Sequence, residues 1–324
     1  MELTAFFLGM KHNYLKILLL LVVCGCSESD GPTGFWENYT PFQSRHSIQE
    51  MELIDFFSEE GVSKGVPSIV QASGLAYSRN NPGYLWSHQD KNFDNSIYLI
   101  DENTGQTVAT YRIKGTTNRD WEDIEIASGP IDGLNYLYIG DVGDNDQKYP
   151  NYWVYRFEEP RFEEKHRDQI IELEIPFDKI SFKYPNRSYD VEALMVDPLT
   201  KDIYLVTKRN LWSILFVLPY PQKTDEEISA IKAGTFSFRF VTAGTVSNSG
   251  DEVLIKNYDR IFYWKREKQQ TFLDMMASKP FLAPYNPKEV QGEAICFDNK
   301  NGYFTLSEFS DGVQPHLFHY ERLK

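Results

Sequence analysis

Three glutamates, Glu122, Glu192 and Glu293, recur beside similar short apolar phrases, such as Glu192-Ala193-Leu194-Met195-Val196 and Glu293-Ala294-Ile295-Cys296-Phe297. If one fold brings these carboxylates to a common axis they repel, and either their pKa values rise or a cation neutralises them. Oxygen ligands of this kind select a hard divalent cation, calcium first. A further ligand is expected from Asp144, in the run Asp141-Val142-Gly143-Asp144-Asn145-Asp146. That run lacks the spacing and closing glutamate of an EF-hand, and Asp, Asn and Gly are also ordinary turn formers. Ion pairs with Arg119, Lys208 or Lys256 are the alternative fate of the glutamates.

A small ligand meeting these groups would find Arg119, Asp120, Asp141, Lys208, Lys256 and Glu308 as binding residues. His88 and Glu122 are the candidates for activating water, His88 because an imidazole titrates near neutral pH. With a bound cation polarising the substrate oxygen, the chemistry would be metal-assisted hydrolysis of an ester, lactone or phosphoester. The alternative is a non-catalytic surface binding or scaffold protein. The chain contains no H-E-x-x-H pair and no glycine-rich phosphate loop, so zinc-protease and nucleotide chemistry have no support.

The elements that must position these residues repeat. Phrases of one type start at Ser73, Glu122, Glu192, Ala243 and Glu293, leaving gaps of 49, 70, 51 and 50 residues. Short strands recurring every 40–50 or so residues predict a β-propeller. Five blades are favoured, and the long second gap leaves room for a sixth. Each blade is expected to have four antiparallel strands. The last blade is short and is expected to borrow a strand from around Val66–Gln71, which closes the ring and hides its edges. The first strand of each blade then lines the channel, and its start faces one mouth. The ends of the second strands add His88 and Asp90, Asp141 and Asp144, Thr207 and Lys208, Lys256 and Tyr258, and Ser307 and Glu308. Helices are expected at 47–58, after Thr224-Asp225-Glu226-Glu227, and over Gln270–Ser278.

The amino terminus has basic Lys11 and Lys16 before the apolar run Ile17–Val23. The run is too short to cross a bilayer and suits a secretory signal. Val23-Cys24-Gly25-Cys26-Ser27 resembles a bacterial lipobox. That resemblance implies loss of residues 1–25, a lipid on Cys26, and sorting to the outer membrane or surface of a Gram-negative cell. Residues 26–45 are polar with Gly31, Pro32, Gly34 and Pro41, and read as a tether. Residues 46–324 remain for a single propeller domain with short helical insertions. With Cys24 in the signal and Cys26 lipidated, Cys296 has no disulfide partner. Aromatics make up 15% of the chain, which suits strands, and the net charge of −14 argues against a nucleic-acid partner. A monomer binding a small molecule or glycan is expected.

Several phrases together resemble a family of secreted bacterial propeller proteins. They are Ser73-Gly74-Leu75-Ala76, Asn81–Trp86, Asn118-Arg119-Asp120-Trp121-Glu122-Asp123-Ile124, Tyr138–Asn145, Glu192-Ala193-Leu194, Thr207-Lys208 and Gln291-Gly292-Glu293-Ala294-Ile295. The resemblance spans about residues 66–324 and implies the fold without an activity. A looser similarity is to calcium-dependent lactonase and phosphotriesterase propellers. It implies a channel calcium held by an inner-strand glutamate, for which Glu122, Glu192 or Glu293 would stand. The paired asparagine ligands of those enzymes are not evident at the inner positions.

Overall fold

Each copy of the repeated phrase folds as the innermost strand of a small sheet. The computed structural model describes residues 32–324, and the sheets number five. Blade 1 begins with Ala72–Tyr77 and continues through Tyr84–Gln89, Ser96–Asp101 and Thr107–Ile113. Blade 2 runs Trp121–Ser128, Asn135–Asp141, Tyr152–Glu158 and Phe177–Lys183. Blade 3 runs Val191–Val196, Ile203–Thr207, Ile214–Leu218 and Ile231–Thr235. Blade 4 runs Val241–Val246, Glu252–Asn257, Ile261–Lys265 and Phe281–Ala283. Blade 5 has only Gly292–Phe297, Tyr303–Ser307 and Leu317–Tyr320 from the carboxyl end, and Val62–Gly65 supplies its fourth strand. The protein is therefore an all-β, five-bladed propeller closed by its amino-terminal segment.

The closing strand lies a few residues before the expected Val66–Gln71. Gln71 nevertheless bridges Glu308 across the same seam. The innermost strands read as continuous apolar runs because both of their faces are covered; every residue of Ala72–Tyr77, Val191–Val196 and Val241–Val246 is buried. They contact one another in ring order, and the narrow axis also lets the inner strand of blade 4 touch those of blades 1 and 2.

Five apolar clusters fill the five seams between blades. Trp86, Tyr111, Trp121 and Tyr155 join blades 1 and 2. Tyr152, Phe182, Leu194 and Phe216 join blades 2 and 3, and Tyr204, Val217, Phe262 and Trp264 join blades 3 and 4. Tyr263, Tyr303 and Tyr320 join blades 4 and 5, while Leu75, Leu85, Cys296 and Leu306 join blades 5 and 1. Large side chains of this kind stabilise by about 2–3 kcal/mol each on burial. Cys296 is one such core residue, and burial pushes its thiol well above the usual range.

The 70-residue gap holds no sixth blade. After Tyr152–Glu158 the chain crosses to blade 1, where Ile170–Leu173 pairs in parallel with Thr107–Ile113, and then returns as Phe177–Lys183. Two further parallel strands cap exposed edges in the same way: Ile228–Ser229 on blade 2 and Phe42–Gln43 on blade 3. Covered edges resist pairing with other chains.

This edge-covering explains three departures from the sequence reading. Part of the expected tether is folded: Pro32–Asn38 is a helix, Trp36 is buried, and Phe42 packs edge-on to Phe236. The helix expected over 47–58 is a single 3-10 turn, Ile48–Glu50, followed by bridges from Leu53 to Leu282 and from Phe57 to Arg322. The segment after Thr224 is strand because blades 2 and 3 need edge partners there, with Ala230 N donating to Lys183 O. The helix over 270–278 does form, as Phe272–Ala277, with Thr271 Oγ1 accepting from Asp274 N. The signal segment and Cys26 lie outside the described residues. Among the described residues no helix is long and apolar enough to cross a membrane.

Candidate functional site

All five blades carry the same irregularity. The register between first and second strands shifts between Ala72 and Gly74, Trp121 and Asp123, Val191 and Ala193, Val241 and Ala243, and Gly292 and Ala294. The extra residue of each bulge is Ser73, Glu122, Glu192, Thr242 or Glu293. A bulge frees its residue from the ladder and re-aims the side chain. The repeated phrase is therefore a bulge signature, and its fourth copy begins at Thr242 rather than Ala243.

Two more residues per blade belong to the same level. Two positions before each bulge stand Gln71, Asp120, Asp190, Phe240 and Gln291; just past the second strand stand Asp90, Val142, Lys208, Tyr258 and Glu308. Backbone hydrogen bonds tie the two sets together: Asp90 N to Gln71 O at 3.1 Å, Val142 N to Asp120 O at 3.2 Å, Lys208 N to Asp190 O at 3.0 Å and Glu308 N to Gln291 O at 2.8 Å.

The mouth so formed is acidic. Carboxylate oxygens of Asp90, Asp120 and Glu122 lie within 4.8 Å of one another, and so do those of Glu122, Asp190 and Glu192. Ser73 Oγ donates to Glu122 Oε2 at 3.3 Å. Lys208 Nζ lies 2.8 Å from Glu192 Oε2 and 3.5 Å from Glu293 Oε1. Glu293 Oε1 also accepts from Tyr258 OH at 2.6 Å and Gln291 Nε2 at 2.8 Å. Lys91 Nζ approaches Asp120 at 3.5 Å and Arg209 Nε approaches Asp190 at 2.6 Å. Counting Glu308, seven carboxyl groups face three cations.

Burial, and then the neighbouring carboxylates, shift these acids. Glu122 is raised well above its ordinary value by desolvation, then by Glu192, Asp90 and Asp120. Asp120 is pushed up to about 7 by burial and by Asp90, and Glu308 to about 7 by burial, Glu293 and Asp90. Burial works against the Lys208 ammonium, but Glu192 and Glu293 outweigh it and raise its pKa. Gly143 closes the wall beside Glu122: a Cβ there would collide with Glu122 Oε1 and come within 2.6 Å of Asp120 Cγ.

Below the mouth, two more acids from the inner strand of blade 2 plug the axis. Asp123 Oδ1 accepts from Ile124 N at 2.9 Å, and Oδ2 accepts from Leu194 N at 2.9 Å and Gly244 N at 3.2 Å. Glu125 accepts from Ile126 N at 2.9 Å and Val246 N at 3.0 Å. These bonds tie blade 2 to blades 3 and 4 across the axis. The far end of the channel holds a cavity of about 10 Å³ lined by Arg79, Glu125, Thr245 and Cys296, which has room for one water and no ligand. The acidic mouth is thus a cup with a floor.

The structure brings together only part of the expected site. Glu122 and Glu192 share one carboxylate group, whereas Glu293 is engaged by Lys208, Tyr258 and Gln291. Asp144 stands apart: its Oδ2 accepts from Tyr149 N and Tyr152 OH at 2.8 Å each, and its amide donates to Asp190 Oδ1 at 2.8 Å. Its loop positions Asp190. Asp141 is fully buried and accepts from Asp120 N at 2.9 Å, so it orients the cup from behind. Arg119 is stacked over Tyr149 and Trp153, 4.1 and 4.3 Å from their centroids, and donates to Asn151 O. Lys256 is fully buried against Gly292 O and Glu289, where burial lowers its pKa.

His88 is 0% exposed, wedged against Gly74 and edge-on to Trp121. Burial lowers its imidazole to about 4. It is neutral at pH 7 and out of a ligand's reach, which removes the reason for expecting it to act as base. Two residues of this level escaped the sequence reading, Asp190 and Thr242. The signal for Asp190 was the spacing Asp120-x-Glu122, Asp190-x-Glu192, Gln291-x-Glu293, which begins two residues before the apolar phrase, whereas Phe240-x-Thr242 breaks that spacing and gives Thr242 no such signal.

No protein-family model matches the chain, and no curated protein sequence is similar to it. Among solved structures it is similar to the Dos1 propeller at 14% identity, over 78% of this chain and 60% of that one, with a TM-score of 0.36. It is also similar to a luciferin-regenerating enzyme at 8% identity, over 78% and 76% of the chains, with a TM-score of 0.41. Hydrazine synthase of Kuenenia stuttgartiensis matches at 10% identity over 73% and 64%, with a TM-score of 0.37.

Proposed function

We propose that this propeller binds a hard divalent cation, calcium foremost, in the acidic cup at one end of its channel, and that the cation recruits a small anionic or polyhydroxy ligand. The observation that carries the reading is the charge imbalance: seven carboxyl groups meet three cations at one level of the fold. Buried like charges must be protonated or neutralised, and an all-oxygen donor set with Ser73 and Tyr258 hydroxyls nearby suits calcium rather than a soft metal. Glu122 is the central ligand in this reading.

A second reading, hydrolysis of an ester, lactone or phosphoester, is favoured by Glu308. Its pKa of about 7 and partial exposure suit a general base beside a bound cation. The cation would supply the Lewis acid. Lipid attachment at Cys26, which would hold the cup at the cell surface, rests on the pattern Val23–Ser27 alone.

Thermal unfolding of chelator-stripped protein, with and without 2 mM calcium, tests the reading. The midpoint should rise by several degrees, and Glu122→Gln should abolish the rise. An unchanged midpoint with calcium, magnesium and manganese alike would leave a non-catalytic scaffold whose cup is balanced by its own lysines, arginine and protons.

A further inference from the structure

Glu122 belongs to two carboxylate groups at once. Asp90 and Asp120 flank it on one side, Asp190 and Glu192 on the other, and within each group the ligand oxygens lie within 4.8 Å of one another. Each group also contains one buried carboxylate oxygen without a hydrogen bond, Asp120 Oδ1 in the first and Asp190 Oδ2 in the second. Asp120 and Asp190 are 4% and 1% exposed. An unpaired buried oxygen is costly, and these two occupy equivalent positions in adjacent blades.

One cation approaches each orphan. Lys91 Nζ stands 3.5 Å from Asp120 Oδ1, and Arg209 Nε stands 2.6 Å from Asp190 Oδ2. Neither approach has hydrogen-bond geometry, since both oxygens remain unpartnered. The Lys91 and Arg209 side chains are 37% and 43% exposed. Such side chains swing into water at little cost, because exposed ion pairs stabilise by about 0–1 kcal/mol. Lys208, in contrast, is buried between Glu192 and Glu293 and stays.

We infer that the cup holds two divalent cations, one in each carboxylate group, with the Glu122 carboxylate bridging them and Lys91 and Arg209 as the counter-charges each ion displaces. Once Lys91 and Arg209 swing out, Lys208 is the one cation left of the three facing the seven carboxyl groups, and two divalent ions bring in more positive charge than the two side chains they displace. A bridged pair is also the arrangement that clamps both the attacking and the leaving oxygen of a phosphoester. This inference rests on the cation-binding reading above and adds its stoichiometry and its gatekeepers.

Equilibrium dialysis of the chelator-stripped protein against calcium, with metal counted by mass spectrometry, decides the matter. Wild type should bind two ions per chain. Asp90→Asn and Asp190→Asn should each bind one, and Glu122→Gln should weaken both. Lys91→Ala and Arg209→Ala, at exposed positions where folding is not at stake, should each tighten one ion by up to roughly fivefold, the factor an exposed ion pair supplies. One ion in wild type overturns the pair and leaves cation binding intact, whereas none overturns both. Loss of both ions from each asparagine variant, or weaker binding in Lys91→Ala and Arg209→Ala, would also contradict two separate subsites.

Discussion

Glu122 and Asp123 are adjacent buried acids on one strand, and the structure requires that neutralising them have opposite effects on metal-free stability. Asp123 accepts from three backbone amides at the axis, those of Ile124, Leu194 and Gly244. Asparagine offers a single oxygen. Placed toward Leu194 and Gly244 it keeps two bonds and turns its own NH₂ against the Ile124 amide. One buried donor is then unsatisfied, at about 1–3 kcal/mol, and the remaining bonds lose their charge assistance. Relief of the desolvation that raises the Asp123 pKa offsets part of this. The net expectation for Asp123→Asn is a loss of about 2–3 kcal/mol. Glu122, in contrast, accepts one bond, from Ser73 Oγ at 3.3 Å, which a glutamine oxygen retains. Removing its charge relieves repulsion from Glu192, Asp90 and Asp120. Each pKa unit so relieved is 1.36 kcal/mol, so Glu122→Gln should gain about 1 kcal/mol or more. Urea unfolding at pH 7.5 in chelator, followed by tryptophan fluorescence, gives both values. The reasoning is refuted if Asp123→Asn stays within 0.5 kcal/mol or so of wild type, or if Glu122→Gln loses more than about 1 kcal/mol.

Further expectations concern pH, the cup wall, the anchor and turnover. Because Asp120 and Glu308 bind protons more tightly folded than unfolded, metal-free stability should be highest near pH 4 and fall as pH rises to about 7. Asp120 is buried but Glu308 is partly exposed, so the slope should be about 2 kcal/mol per pH unit rather than twice 1.36; a stability that rises over pH 5–7 in chelator contradicts the sign. Gly143→Ala should lower calcium affinity by roughly tenfold or more through displaced ligands, measurable by calorimetry, and an unchanged affinity would remove Gly143 from the wall. Cys26→Ser should move the protein from the membrane to the soluble fraction on immunoblotting, and retention in the membrane would end the lipid proposal. If the site turns over an ester or phosphoester, Glu308→Gln should lower kcat at pH 8 by 10²-fold or more, on the scale of general-base catalysis, with calcium binding retained; equal kcat would exclude Glu308 as the base.

The architecture was legible because the inner strand must be apolar on both faces, so its phrase recurs wherever a blade begins. The bulge was not, because sequence pattern encodes a period of two and a bulge breaks that period without changing composition. This is why the fourth phrase reads as starting at Ala243 while the bulge lies at Thr242, and why Asp190, two residues ahead of Glu192, falls outside the phrase. The 70-residue gap was ambiguous for a different reason. Ile170–Leu173 pairs with blade 1 rather than with its sequence neighbours, and parallel edge pairing leaves no local signal. The helix expected after Thr224 lost to the edge of blade 2, where tertiary pairing overrides local helix preference. His88 illustrates the limit of residue type as a guide: its neutral-pH chemistry is cancelled by complete burial.

The most direct test of the central claim is an anomalous-difference map from crystals of the protein soaked in manganese, which takes the oxygen ligands of calcium and magnesium sites. The account expects density at about 2–2.6 Å from the Glu122 carboxylate, flanked by Asp120 and Asp190. A clean map with no peak at the mouth, at a manganese concentration that fills lattice sites elsewhere, would contradict it.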